Sequence, residues 1–176
     1  SDGHKIVMET PRQAIDEKIS VIYQELNLAP NLSVAENIFL GNLPVKGAKV
    51  DYDRLYRDAQ QVMEQLKLDL DVKKKVCYLT IAKQQLVEIA KSIVKEPRVI
   101  IMDEPTSALS RQETESLFEI VKELKRKGTA IIYVSHKLDE IFEICDKISI
   151  LRDGQYIGTD AIENMNEERL VSMMVG

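Results

Sequence analysis

The chain has 176 residues and a formal net charge of −5; 44% of its residues are hydrophobic and 30% are charged. This length and composition are typical of a soluble globular domain with one core and room for a small second lobe. The negative charge argues against general nucleic-acid binding, and no apolar run approaches the roughly 20 residues that span a bilayer. Cys77 and Cys145 lack C-x-x-C spacing, which suits a reducing compartment, and no signal peptide is visible.

The first 25 residues predict short elements of mixed type. Residues 4–8 are a candidate strand remnant, and Thr10 with Pro11 opens a short helical stretch. Residues 18–23 are apolar enough for a second strand, which ends at Gln24. A glutamine at a strand end either caps a turn or reaches a metal or a water at the sheet edge. The residues themselves leave both interpretations open.

Residues 26–95 are predicted to be mainly helical. Ser33 and Glu36 have the spacing of a capping box, and Gly41 ends that helix. Residues 42–50 indicate a loop, after which Asp51 caps a helix that runs to about residue 67. The apolar positions of this helix keep helical spacing: Leu55, Ala59, Val62, Met63 and Leu66.

Residues 79–85, Leu-Thr-Ile-Ala-Lys-Gln-Gln, lead into a further helix that Pro97 ends. The apolar stripe of this helix contains Leu86, Ile89, Ala90, Ile93 and Val94. The free amide groups and the positive dipole end at the start of a helix can receive a phosphate. For this segment alone, a capped helix without a ligand is the better interpretation.

Residues 99–102, Val-Ile-Ile-Met, predict a strand buried on both faces, and Asp103, Glu104 and Pro105 follow it. Parallel strands deliver their last residues to the edge of the sheet where α/β proteins bind ligands. Because strand side chains alternate, we expect Asp103 and Glu104 to point to opposite sides. One carboxylate can then hold magnesium while the other acts as a base or positions a water, as in nucleotide hydrolases. Taken alone, the segment favours an ordinary solvated acidic turn.

The last third of the chain alternates between helices and strands. Ser110 and Glu113 form another capping box, and Gly128 closes the helix that they begin. Residues 129–134 predict a third buried strand, which ends at Ser135 and His136; a histidine there either shares the edge of Asp103 or lies on the surface at a turn. An amphipathic helix over 138–145 follows, then a hairpin of strands 148–151 and 156–159 around Asp153-Gly154, and a helix capped by Asn166.

At this point the motifs resemble those of a known family, the ATP-binding domain of ABC transporters, and most of all the bacterial sugar-import ATPases that carry two such domains in tandem. Gln24, within Tyr-Gln-Glu-Leu-Asn-Leu, resembles the Q-loop, and residues 79–85 occupy the position of the LSGGQ motif. Residues 103–109 resemble Walker B plus the D-loop, and His136 resembles the switch histidine. Residues 173–176 resemble the end of the family's first domain. Each motif is weak or moderate alone, but the ordered set over residues 10–176 is highly specific.

The resemblance implies an α/β fold with a P-loop NTPase-like (RecA-like), mostly parallel sheet flanked by helices, an inserted α-helical subdomain, and the N-terminal strands and P-loop missing. The RecA-like core would comprise residues 1–25 and 96–176, and the helical subdomain residues 26–95. The implied cofactors are ATP and Mg²⁺. The implied site residues are Glu104 and His136 for catalysis, Asp103 and Gln24 for the metal, and Gln24, Thr80, Lys83, Gln84 and Ser107 for the nucleotide.

The resemblance also implies partners and a location. Membrane permease subunits would bind the Gln24 loop and the helical subdomain, and a second ABC domain would close head to tail around ATP. No nucleic acid and no direct membrane insertion are expected, and the protein would be cytoplasmic, peripheral on the inner face of the bacterial plasma membrane. Two alternatives remain: a soluble ABC protein that acts on DNA or ribosomes, although no coiled-coil insertion or basic tract is seen, and a fragment that does not bind nucleotide.

Two departures from the family pattern bear on activity. The LSGGQ position reads Leu-Thr-Ile-Ala-Lys, so both glycines that let backbone amides approach a phosphate are replaced, while Lys83 adds a cation. No G-x-x-x-x-G-K-[ST] sequence occurs in the 176 residues, which begin at Ser1 without a methionine. We therefore expect an ABC domain without its first part. The 129–134 strand would then have an open apolar edge, and the chain by itself would bind ATP poorly and either self-associate or rearrange.

Overall fold

A computed structural model of the chain describes Met8 and residues 10–175, which form two compact units that divide between Ile132 and Tyr133. Among these described residues, no helix has both the length and the apolar character that crossing a membrane requires. The candidate strand at residues 4–8 lies outside the described part of the chain except for Met8, which has no regular structure.

The first unit alternates short strands with helices. In chain order, its elements are α1 (Pro11–Asp16), β1 (Ile19–Ile22), α2 (Val34–Ile38), β2 (Val45–Lys46), β3 (Lys49–Val50), α3 (Tyr52–Gln65), a 3₁₀ turn (Val76–Tyr78), α4 (Ile81–Ile93), β4 (Val99–Asp103), α5 (Arg111–Arg126) and the start of β5 (Ala130–Val134). The helices begin where the sequence predicts. The Ser33 and Ser110 capping boxes both form, and Asp51 caps α3.

A three-stranded sheet with the order β1-β4-β5 carries the candidate site. β1 and β4 run parallel, with Ile22 opposite Met102 at their carboxyl ends. In β4 the side chains of Ile100 and Met102 are buried, whereas Val99 and Ile101 are half-buried. The prediction that this strand is buried on both faces is therefore correct for one face only.

The prediction of a third buried strand is wrong for β5. This strand stands at one end of the sheet order, and its residues alternate between exposed and half-buried. Ile132 is 52% exposed and Val134 is 46% exposed. A run of apolar residues predicts a strand. Whether that strand is buried depends on the elements that cover its faces and its edge, and the sequence of the strand itself does not specify them. In the part of the chain that the structure describes, no strand follows β5 in the sheet order.

The segment between β1 and β4 packs mainly through helices. α2 contacts both α3 and α4, and α4 contacts β1. The residues that these helices bury completely include Val34, Ala35, Leu55, Ala59, Met63, Val87, Ile89 and Ala90. Residues 42–50, predicted as a loop, contain instead the two-residue strands β2 and β3, which pair antiparallel around Gly47 at φ +65°.

The second unit has its own small core. After the end of β5 come α6 (Leu138–Ile144), β6 (Lys147–Arg152), β7 (Gln155–Ala161), a 3₁₀ turn (Ile162–Asn164) and α7 (Glu167–Val175). β6 and β7 form the predicted hairpin, with Asp153 at φ +51° and Gly154 at φ +73°. Asn166 caps α7 as predicted, because its Oδ1 accepts from the Arg169 amide at 2.8 Å. The buried core residues are Ile141, Ile148, Ile150, Met165 and Leu170.

Candidate functional site

The centre of the candidate site is a contact between Gln24 and Glu104. Each residue lies two positions beyond a member of the Ile22–Met102 pair, so the parallel register of β1 and β4 brings them to the same edge. The Gln24 Nε2 donates to Glu104 Oε2 at 3.2 Å. Gln24 is exposed and Glu104 half-buried, so the carboxylate can be reached from solvent. An amide donor and a carboxylate 80 positions apart thus meet at the carboxyl edge of the sheet.

The backbone of Glu104 has an unusual conformation. Its φ is +46°, in the left-handed region that costs a residue with a Cβ about 1 kcal/mol or more. β4 ends at Asp103, so Glu104 is already outside the strand, and the alternation argument for two opposed carboxylates does not apply to it. The turn that follows is closed by the Ser107 amide, which donates to the Glu104 carbonyl at 3.2 Å. Asp103 is half-buried at the strand end, and Ser107 is exposed.

A second group of predicted residues lies at the start of α4. Thr80 is the N-cap, and its Oγ1 accepts from the Lys83 amide at 3.3 Å. The Gln84 Nε2 donates to the carbonyl of Leu79 at 3.1 Å, so this side chain hydrogen-bonds to the residue before the N-cap of its own helix. Lys83 is exposed. The structure gives these residues the arrangement of a capped helix, and a role towards a nucleotide stays a prediction.

Lys83 also interacts electrostatically with the start of α5. Hydrogen bonds from the Ser110 hydroxyl and amide hold the pKa of Glu113 below its ordinary value, and the positive charge of Lys83 adds a smaller effect in the same direction. The charge of Lys83 is therefore close enough to act on the N-terminal turn of α5. This interaction could not be read from the local sequence, because Lys83 and Glu113 are 30 positions apart.

His136 lies in the second unit, exposed, between β5 and α6. Its two neighbours are tied to Glu140, which is 4% exposed. Ser135 Oγ donates to Glu140 Oε2 at 3.3 Å, and the Lys137 Nζ lies 3.2 Å from Oε1. The Tyr133 hydroxyl also donates to Oε2, at 2.8 Å. One buried carboxylate therefore anchors the turn around His136; that His136 shares an edge with Asp103 stays a prediction.

The oxygen atoms near the sheet edge fit an open magnesium site rather than a closed one. Mg²⁺ prefers oxygen ligands, keeps several waters and takes phosphate oxygens from its substrate. Asp103, Glu104 and the amide oxygen of Gln24 supply ligands of this type. Among the described residues, no group of three or more His, Cys, Asp or Glu side chains is placed to hold a metal by itself. These residues would therefore suit a magnesium ion whose remaining ligands come from water and from a bound nucleotide.

Sequence comparison identifies the family to which this chain belongs. A sequence profile of the ABC transporter family matches residues 1–107 of the chain. The chain belongs to the ABC transporter family. It is 45% identical over 174 residues to the galactose/methyl galactoside import ATP-binding protein MglA of Pasteurella multocida, and 41% identical to MglA of Salmonella typhimurium. The match covers 99% of this chain but 34% of each relative, so the chain spans about a third of the length of these proteins.

Solved structures agree on the fold. An ATP-binding cassette of an ABC transporter superposes with a TM-score of 0.77 at 23% identity, over 96% of this chain and 72% of that one. The cassette cbiO1 of Clostridium perfringens gives a TM-score of 0.74 at 22% identity, over 95% and 67%. The P-loop NTPase-like α/β fold of an ABC cassette, predicted from the motifs, is confirmed.

Proposed function

We propose that this chain is part of the ATP-hydrolysing subunit of an importer, and that the imported molecule is a sugar. The observation that carries the proposal is the 3.2 Å contact between Gln24 and Glu104 at the carboxyl edge of β1 and β4. This contact joins two motif residues that are 80 positions apart in the sequence. It lies at the edge of the sheet, where a nucleotide hydrolase needs a carboxylate that activates water. The names of the MglA relatives, which are import ATP-binding proteins for galactose and methyl galactoside, support a hexose as the cargo.

In the proposed reaction the protein positions groups and stabilises charge, because phosphoryl transfer leaves little covalent chemistry to the enzyme. Glu104 accepts a hydrogen bond from, and so orients, the water that attacks the γ-phosphorus. Gln24 donates to the Glu104 carboxylate through its Nε2, and its Oε1 would be a ligand for the metal. By the family resemblance, His136 would contact the γ-phosphate or stabilise the Glu104 region. Asp103 would also hold Mg²⁺, which would neutralise charge on the phosphate oxygens.

The remaining predicted residues are assigned to the nucleotide and to a second cassette. Thr80, Lys83, Gln84 and Ser107 would face the ATP of a head-to-tail partner domain. Lys83 supplies a positive charge where glycine amides are absent from the motif. The segment after Gln24 and the helical residues 26–95 would receive the permease, and residues 1–25 with 96–176 would form the core. We place the complete protein at the inner face of the bacterial plasma membrane.

The test is Glu104→Gln in the complete ATPase domain, because the amide keeps the shape of the side chain and removes its charge. We expect ATP binding to remain and hydrolysis to fall by about 100-fold or more. Glu115→Gln is the matched control, since Glu115 is an exposed carboxylate on α5 that pairs with Arg111, four positions away on the same helix. Turnover of the Glu104 variant close to that of the Glu115 variant would remove Glu104 from the catalytic role.

One observation favours a second candidate, a chain that folds without binding nucleotide. The 176 residues contain no G-x-x-x-x-G-K-[ST], which supplies the amides and the lysine that hold phosphates in such enzymes. Calorimetry of these 176 residues with magnesium and ATP distinguishes the two. Absence of heat from the isolated chain, together with hydrolysis by the complete domain, would mean that these residues contribute to the site without sufficing for it.

A further inference from the structure

A buried ion pair lies on α4, outside the residues that the motifs identify. The Lys91 Nζ is 3.3 Å from Glu88 Oε1 and 3.5 Å from Oε2. The side chains are 12% and 7% exposed, so both charges are largely removed from water. Burial raises the pKa of Glu88, and the charge and hydrogen bond of Lys91 act against that rise. Such a pair is costly to desolvate, so further hydrogen bonds are needed to offset that cost.

One such contact is with the backbone of Asn27. The Lys91 Nζ donates to the Asn27 carbonyl at 2.6 Å, and the nearby Asn27 backbone also acts against the rise in the pKa of Glu88. Glu88 therefore holds Lys91, and Lys91 holds the carbonyl of a loop residue 64 positions away; we call this arrangement the clamp. Charge-assisted hydrogen bonds of this kind are shorter and about twice as strong as neutral ones.

The position of Asn27 gives the clamp a consequence for the candidate site. It lies three residues after Gln24, whose amide donates to Glu104. Two residues further on, the backbone of Ala29 is held by Asn37, which accepts from its amide at 2.7 Å and donates to its carbonyl at 3.0 Å. The loop that carries Gln24 is thus fixed to α4 at Asn27 and to α2 at Ala29.

We propose that Glu88 and Lys91 are positioning residues for the reaction, and that their clamp on Asn27 makes the start of the loop move with α4, so that Gln24 reaches Glu104 only when the helix is in place. This inference rests on the proposed ATPase function. It adds to that function the two residues through which the helix that begins at Thr80 and the Gln24–Glu104 contact are coupled. The ordinary alternative is an ion pair that only stabilises α4.

The first test measures the clamp itself by amide hydrogen exchange in the complete protein. Lys91→Met keeps the length of the side chain and removes its charge, so we expect exchange of the Ala29 amide, which donates to Asn37 Oδ1, to rise by about tenfold. The matched control is Lys122→Met, which breaks an exposed Glu119–Lys122 pair with the same three-residue spacing on α5. Unchanged exchange of the Ala29 amide in Lys91→Met would overturn the proposal. This measurement does not depend on hydrolysis and would stand even if the proposed function failed.

The second test asks whether Lys91 acts through Gln24. We expect Lys91→Met to lower kcat for ATP by about tenfold with little change in KM, and Lys91→Arg to recover most of the loss. In a background of Gln24→Ala, the Lys91 substitution should cost almost nothing more, because the residue that it positions is gone. Equal losses in both backgrounds would show a role confined to helix stability. If Lys91→Met does not fold, Glu88→Gln takes its place in the same comparison.

Discussion

Asn37 is the residue whose removal should most clearly expose how the Gln24 loop is held. Its side chain is fully buried. Oδ1 accepts from the Ala29 amide at 2.7 Å, and Nδ2 donates to the carbonyls of Ala29 and Ser33, each at 3.0 Å. The substitution Asn37→Ala deletes these bonds and leaves backbone groups of a partly buried loop without their partner.

The expected cost follows from those contacts. A typical intramolecular hydrogen bond contributes about 1 kcal/mol net, and a buried group left unsatisfied costs somewhat more, so three bonds give about 3 kcal/mol. For a domain of this size that loss corresponds to a fall in Tm of roughly 6–12 °C. The cavity left by the amide adds to the loss in the same direction.

Equilibrium urea unfolding of the complete domain measures this difference. Asn42→Ala is the control, because Asn42 is exposed on the turn after the same helix, and we expect it to change the free energy of unfolding by less than about 0.5 kcal/mol. A loss for Asn37→Ala no larger than that of the control would refute the reasoning. It would mean that the loop is held by other groups and that the bonds to Ala29 contribute nothing net.

Further expectations concern the catalytic candidate, a buried amide, a cap and the open edge. His136→Ala in the complete domain should slow turnover with little change in ATP affinity; unchanged turnover would leave His136 as a surface residue. The Gln85 Nε2 is buried and has no hydrogen-bond partner in the described part of the chain, so Gln85→Met should raise the free energy of unfolding by about 1 kcal/mol, and a loss measured by urea unfolding would instead point to a bridging water. Hydrogen bonds from Ser33 lower the pKa of Glu36 below its ordinary 4.5, so Glu36 stabilises the fold above that pH. The advantage of wild type over Glu36→Gln should shrink as pH falls below 4.5, and a constant difference would contradict this assignment. The isolated chain should bind ATP poorly and self-associate or rearrange at the β5 edge; micromolar binding by a stable monomer, seen by calorimetry and light scattering, would overturn that expectation.

The sequence predicted best what short-range chemistry decides. The capping boxes at Ser33 and Ser110 form because each satisfies its helix start within three residues. The Asp153-Gly154 hairpin likewise depends only on its own backbone. These elements require no information about the rest of the fold, and they lie where they were predicted.

Predictions failed where distant neighbours decide the outcome. β5 was predicted to be buried from its own apolar residues, but its exposure depends on the strand beside it. The buried polar residues Asn37, Glu88 and Glu140 were missed because each occupies a position that the helical pattern treats as apolar or solvent-facing. For Glu88, the signal available in the sequence was its position between the apolar residues Val87 and Ile89. The Gln24–Glu104 contact depends on a register between strands 80 positions apart, which only the family resemblance hinted at.

The left-handed backbone of Glu104 restricts which substitutions can persist at this position. Its φ of +46° suits glycine, asparagine or aspartate better than glutamate, yet the proposed chemistry needs a carboxylate at that reach. Replacement by glycine or asparagine would relieve the backbone and produce a well-folded protein that no longer turns over. In the proposed head-to-tail pair, such a subunit would remain abundant and would still close against a functional cassette. Mutations here should therefore act in a dominant manner, whereas core mutations would act by loss of abundance.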